Sequence, residues 1–454
     1  MQDLTKGSLA QNVLKMSSFM LVSMVFQTLY FIVDLYFVGR LGKSAVAAVS
    51  VSGNLTFLVL AATQTLAVGT TSLIAHAVGR KDAVGARLVF NQSQLLSLLV
   101  GALFLLVMMA LRGRYAYGMA ADAETAGLAA DYLAWFVPAM ALQFALVATT
   151  AALRGTGNFK PGMVIQSGTV LINIALAPIL IFGVGPVHAL GVAGAALASF
   201  VAVGVGVLVL IVYVLRSESY LQFVARDCRP QLSLWGRMLK IGLPAGAEFG
   251  LMGVYMMVVY TISRPFGAAA QAGFGIGLRV VQSLFMPVVA LGFAVSPVAG
   301  QNFGARLGDR VRQTFKVGCQ MAVGFMLVFT ALCQISPEAM IRFFSRDPQV
   351  LAVGGEYLRI VSFNFVASGV IFVSSSMFQA LGNTIPPLLS STLRIVLLAI
   401  PALLMARLPG FQLRWVWWLA VAATTVQMTA NLLLLRREFR RKLAFAEPVL
   451  ATAG

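Results

Sequence analysis

Residues 31–40 read FIVDLYFVGR and place a carboxylate, Asp34, near the end of an apolar run that begins around Leu14. A charged side chain facing hydrocarbon costs about 2.5–3.5 kcal/mol on insertion scales, so an acid kept there calls for a use. A second acid, Glu248 in IGLPAGAEFGLM, also falls inside an apolar run, while Asp131 and Glu356 stand where such runs begin. Arg279 and Arg394 are the internal cations. A carboxyl group in apolar surroundings favours its neutral form, so it can take up and release a proton near neutral pH. These residues suit ion binding and charge recognition inside an apolar phase. No nucleophile elbow, phosphate loop or zinc-ligand spacing occurs, and the residues do not read as an enzyme with a metal or organic cofactor. Cys228, Cys319 and Cys333 make neither a disulfide framework nor a metal-ligand pattern.

The elements that position these charges follow from composition. Of 454 residues, 59% are hydrophobic and 11% charged, against about 25% charged in a soluble globular chain. Such a chain cannot coat a water-facing surface of its own size and reads as an all-α polytopic membrane protein. The net charge of +18 comes from basic residues lying between apolar runs, which form no nucleic-acid groove and act instead as topology signals. The N-terminal MQDLTKGSLAQNV has no compact apolar core ahead of a cleavage site, so the first span is expected to stay as an anchor.

A helix crossing the bilayer needs about 20 apolar residues. Twelve candidates meet that need: 14–38, 46–76, 88–111, 132–153, 162–183, 189–215, 239–262, 271–301, 314–335, 357–380, 386–406 and 415–435. With the N-terminus inside, basic residues favour the cytoplasmic segments by roughly two to one, so both termini are expected in the cytoplasm, with the chain in the plasma (inner) membrane. The cluster RREFRRK after the last span reads as an anchor against anionic membrane lipid.

The sequence repeats itself at one offset. Gly42 matches Gly267, Ala45 matches Ala270, Gly79 matches Gly304, and GNFKP (157–161) matches GNTIP (382–386), each pair 225 residues apart. Six spans per copy give both halves the same topology, with an N-lobe over 1–225 and a C-lobe over 226–454. Two pseudo-symmetric six-helix bundles are the architecture of a transporter that alternates its access between the two sides of the membrane.

Several stretches carry a resemblance: IVDLYFVGRLG (32–42), AHAVGRKD (75–82), ALRGTGN (152–158), NIALAPILIFG (173–183), GVAGAALAS (191–199) and AGQNFGAR (299–306). In order and spacing they resemble the multidrug and toxic compound extrusion (MATE) transporters. That resemblance implies export of drug-like, often cationic and aromatic compounds against inward flow of protons or sodium, by a chain that works as a monomer. It implies a cation-coupling set of Asp34, Asn173 and Ser199. Tyr30 joins the set from the residues themselves, one helical turn before Asp34 on the same face. The usual fifth-span pattern ends in an acid before proline, whereas here Ala177 precedes Pro178. With that second acid gone, the proton is the expected coupling ion and sodium the alternative.

Glu248, Arg279 and Arg394 form a candidate charge site for the C-lobe. Glu248 lies about 12 Å in from the cytoplasmic side at 1.5 Å per residue, and the two arginines reach similar depths. An ion pair and a second coupling or substrate-binding carboxylate are both open readings. The seventh-span glutamate of some family members stands about eight residues after the proline, whereas Glu248 is four after Pro244. The leading reading of function is a proton-driven multidrug antiporter. The alternatives are a sodium-driven one or a flippase for lipid-linked precursors, whose cavities tend to be cationic.

Overall fold

A computed structural model describes residues 3–120, 122–183, 188–217 and 220–445. Fourteen α-helices carry these residues: α1 (Leu9–Gly39), α2 (Lys43–Gly79), α3 (Ala83–Met119), α4 (Ala123–Gly155), α5 (Lys160–Phe182), α6 (Val192–Arg216), α7 (Leu232–Ser263), α8 (Ala268–Gly304), α9 (Gly308–Ile335), α10 (Pro337–Arg342), α11 (Pro348–Val361), α12 (Asn364–Ala380), α13 (Ile385–Met405) and α14 (Leu413–Lys442). No strand occurs among the described residues. With no water to satisfy backbone groups, a chain this apolar has helices as its solution. Eleven helices among the described residues are long and apolar enough to cross a membrane, or up to twelve spans if α11 and α12, bent by 55°, count together as one. The chain is thus an integral, multi-pass membrane protein.

The tenth span differs from the expectation of one helix over 357–380. It breaks at Ser362–Phe363, and the helical segment begins at Pro348. No proline sits at the break, whereas Pro138, Pro178, Pro244, Pro287, Pro297 and Pro401 lie inside unbroken helices. The reason is a set of donors from α9. Thr330 Oγ1 donates to the Ser362 carbonyl at 3.0 Å, and Gln334 Nε2 donates to the Arg359 carbonyl at 2.7 Å and to Ser362 Oγ at 2.8 Å. A neighbouring helix that re-satisfies freed carbonyls makes a broken span tolerable inside a membrane protein.

The sequence repeat is also a backbone repeat. Positive φ recurs at the same offset, at Gly42 (111°) and Gly267 (85°), Lys81 (59°) and Arg306 (60°), and Gly157 (76°) and Gly382 (68°). The helix ends close with the same hydrogen bonds. Asp82 N donates to the Ala77 carbonyl and Leu307 N to the Asn302 carbonyl, both at 2.9 Å. Asn158 N donates to Leu153 (3.0 Å) and Asn383 N to Phe378 (2.9 Å). Each is the terminal bond of a helix that ends on a left-handed residue.

The chain packs into two compact units. The first holds Ser18–Val78 and Asp82–Gly250; the second holds Leu4–Ser17, Gly79–Lys81 and the described residues from Leu251 onward. In the first, the start of α7 packs tightly on α2. A Cβ at Gly242 would strike the Thr65 carbonyl, and one at Gly246 would strike Thr65 Oγ1. This Gly-x-x-x-Gly pair lets two backbones approach where apolar burial gives no drive between helices. In the second, Leu4 N donates to Gln301 Oε1 at 3.1 Å, Asn302 Nδ2 donates to the Leu4 carbonyl at 3.2 Å, and Arg310 Nη2 donates to the Gly7 carbonyl at 3.1 Å.

Within the first unit, α3 clasps the segment that joins the two repeats. Asn91 Nδ2 donates to the Gln222 carbonyl (2.8 Å) while Asn91 Oδ1 accepts from Val224 N (3.1 Å). Gln92 Nε2 donates to the carbonyls of Asp227 (2.6 Å) and Arg229 (2.7 Å), and its Oε1 accepts from Gln231 N (3.0 Å). Arg87 pairs with Asp227 at 2.7 Å, and Phe90 packs on Phe223 with ring centroids 5.0 Å apart.

Candidate functional site

Asp34 lies in the last third of α1 and is buried, 8% exposed, while its neighbours Phe31 and Ile32 are 67% and 58% exposed. Tyr30, one turn earlier, reaches across to α6, where its hydroxyl lies 2.8 Å from Ser199 Oγ. From α5, Asn173 Nδ2 donates to the same Ser199 Oγ at 3.2 Å. Ser199 in turn donates to the Ala195 carbonyl at 3.1 Å. A serine hydroxyl has one hydrogen to give and two lone pairs. With its proton on the Ala195 carbonyl, Ser199 has lone pairs for both the Tyr30 hydroxyl and the Asn173 amide; either hydroxyl of the Tyr30–Ser199 pair can be the donor. Asp34 Oδ1 is buried without a hydrogen-bond partner among the described residues.

Local sequence explains how three helices meet there. A Cβ at Gly194 would collide with the Leu180 carbonyl, and one at Gly206 with Thr169 Cγ2. Two glycines flanking Ser199 on α6 thus bring α5 close enough for Asn173 to reach it. The structure brings Tyr30, Asn173 and Ser199 together, with Asp34 one turn after Tyr30 on α1. It adds Tyr132 of α4, buried and within electrostatic range of both Asp34 and Tyr30. The sequence did not point to Tyr132, because a tyrosine in an apolar run gives no signal. Ala177 is fully buried in an apolar cluster with Ile181, Ala195 and Ala198, so no second acid joins Asp34 from α5. No group of three or more His, Cys, Asp or Glu side chains suited to a metal occurs among the described residues.

The candidate charge site of the second repeat divides between the units. Glu248, half-buried, belongs to the first unit with the start of α7; Arg279 of α8, exposed, and Arg394 of α13, half-buried, belong to the second. Neither arginine forms an ion pair with an acid of its own unit among the described residues. Arg394 instead lies over the Tyr255 ring, with Cζ 5.8 Å from the centroid.

The MatE family profile matches residues 20–179 and 244–404, once in each repeat and over more than half of the chain. This chain belongs to the MatE family. The family is one of transporters, not enzymes. The chain is 29% identical over 410 residues to a probable multidrug resistance protein, YoeA, of Bacillus subtilis, covering 88% of this chain and 87% of that protein. It is 28% identical over 369 residues to the multidrug export protein MepA of Staphylococcus haemolyticus, covering 80% of each. Among solved structures it resembles an outward-facing multidrug resistance MATE transporter of the MOP superfamily, with a TM-score of 0.89, 24% identity and 98% of both chains covered. At that identity the structural likeness speaks for the fold.

Proposed function

We propose that this MatE chain is a multidrug antiporter that exports drug-like organic compounds in exchange for inward protons, by alternating access. The observation that carries the reading is the environment of Asp34. The carboxyl group is buried, one oxygen has no donor, and the nearby Tyr30 hydroxyl is engaged with Ser199. An ionised carboxylate left without donors in an apolar site is costly, whereas a neutral acid fits there. Protonation from one side and release to the other then gives a carrier of one proton per cycle. A sodium ion would need several oxygens in place of its water shell, and Ala177 offers none.

The chain would sit in the plasma (inner) membrane with both termini in the cytoplasm and work as a monomer, its basic last helix against anionic lipid. Relatives named for multidrug resistance and export support drug-like substrates for this chain too. Dye efflux from vesicles under an imposed pH gradient tests the reading. Wild type is expected to export a cationic dye, and Asp34→Asn to insert normally and lose gradient-driven export. If Asp34→Asn exports at the wild-type rate, Asp34 is not the coupling group. A signal only with lipid-linked precursors would favour a flippase.

A further inference from the structure

Arg394 has no role in the coupling cluster, yet it sits near the middle of α13, about 14 Å from Ile385 at 1.5 Å per residue. Its stretch, LRIVLLAI, is otherwise apolar. A guanidinium in that position is expensive and is normally met by an acid, a carbonyl or water. Among the described residues no acid of its unit pairs with it, and its Nε is buried without a hydrogen-bond partner. What it does have is the face of Tyr255 of α7 at 5.8 Å, near the outer limit of a cation–π contact. Tyr255 in turn packs against the aromatic core of the second unit, where Phe274, Tyr357 and Trp417 lie with ring centroids 4.9–5.5 Å apart. The guanidinium thus lies over an aromatic face, and its N–H donors have no hydrogen-bond partner among the described residues. It is half-buried rather than sealed, so a ligand can reach it. A planar guanidinium fork matches carboxylate and phosphate oxygens.

We propose that the second unit holds an anion-binding site in which Arg394, seated on Tyr255, takes the carboxylate or phosphate group of an amphipathic ligand. This deepens the export reading by adding organic anions to the compounds the chain handles, although binding itself does not depend on transport. The test is fluorescence anisotropy with two aromatic probes of opposite charge, carboxyfluorescein and rhodamine 6G. Purified full-length protein is held in nanodiscs of phosphatidylcholine, with and without phosphatidylglycerol. Wild type is expected to bind carboxyfluorescein. Arg394→Gln is expected to weaken that binding by about tenfold or more, the loss of a charge-assisted contact. Rhodamine 6G binding should stay within about twofold of wild type, a change below 1 kcal/mol.

Arg394→Lys keeps the charge but loses the fork, and a few-fold loss is expected of it. If Arg394→Gln does not fold, the lysine variant decides. Carboxyfluorescein affinity that phosphatidylglycerol lowers in wild type but not in Arg394→Gln makes the natural anion a lipid headgroup; affinity the lipid leaves unchanged makes it a soluble compound. The proposal is overturned if wild type does not bind carboxyfluorescein, or if the folded variants bind it as wild type does. Rhodamine 6G efflux from vesicles reads export separately, so its absence would sink the export reading and leave the anion site standing.

Discussion

Replacing Gln92 by leucine should release the segment joining the two repeats without touching any transmembrane contact of Asp34. The Gln92 side chain is fully buried on α3 and makes three hydrogen bonds to main-chain groups of that segment. Leucine keeps the bulk and strands two carbonyls, Asp227 and Arg229, together with the Gln231 amide. A buried group left unpaired costs about 1–3 kcal/mol. The outer side of this segment is exposed, so water recovers part of that, and the lower figure applies to each group. The sum is about 3 kcal/mol, or about a hundredfold in the local opening equilibrium at 1.4 kcal/mol per factor of ten. Hydrogen–deuterium exchange of peptides covering 222–231 reads that opening directly, because exchange from a locally opened state follows its free energy. Exchange of the Val224, Asp227 and Gln231 amides should accelerate by about two orders of magnitude. Gln92→Glu is the sharper control. It keeps the acceptor for Gln231 but turns a carboxylate toward two carbonyls, so it should open the segment at least as much as leucine does. Exchange changed by less than about threefold in both variants, under 1 kcal/mol, would refute the clasp.

Other outcomes follow from the same coordinates. Tyr30→Phe removes one hydroxyl bond to Ser199, worth about 0.5–1.5 kcal/mol; gradient-driven efflux should fall but persist, and complete loss would give Tyr30 a coupling role of its own. Gly194→Val must push α6 away from the Leu180 carbonyl and so part Asn173 from Ser199. Lower thermal stability and lost efflux are expected in detergent and in vesicles, and wild-type values in both would show that the helices do not need that approach. Gln334→Leu should destabilise the bend between α11 and α12 by about 1–3 kcal/mol, since it removes two hydrogen bonds while the Ser362 hydroxyl still donates to the Arg359 carbonyl at 2.9 Å. Faster hydrogen exchange confined to 359–365 is the readout, and unchanged exchange there would count against the α9 donors as its support.

Some of this architecture can be read before any fold is known, and some cannot. GNFKP and GNTIP announce the repeat because asparagine, glycine and proline mark helix ends, and both glycines prove to be left-handed. Lys81 and Arg306 adopt the same backbone without any glycine to betray it, since the demand comes from the turn they close. Asp34 is conspicuous because a charge in an apolar run is costly wherever the helix packs. Its lack of a donor depends on where the Ser199 proton points, which only the meeting of α1, α5 and α6 decides. Tyr132 was invisible because an apolar span tolerates tyrosine for many reasons. The bend at Ser362–Phe363 carries no local breaker, and its cause lies about 30 residues upstream in Thr330 and Gln334. The clasp on the joining segment likewise depends on partners more than 130 residues apart, beyond the reach of any periodicity. Glu248 and the two arginines share a depth along their helices, yet depth does not fix which face meets which.

The central claim is that a proton on Asp34 drives export, and one measurement bears on it most directly. Purified protein in liposomes is loaded with a cationic dye, and proton and sodium gradients are imposed one at a time. Dye export should follow an inward proton gradient in sodium-free buffer, collapse with a protonophore, and vanish in Asp34→Asn. An inward sodium gradient at equal pH on both sides should drive nothing. Export driven by sodium alone at equal pH, with none from a proton gradient in its absence, would contradict the account.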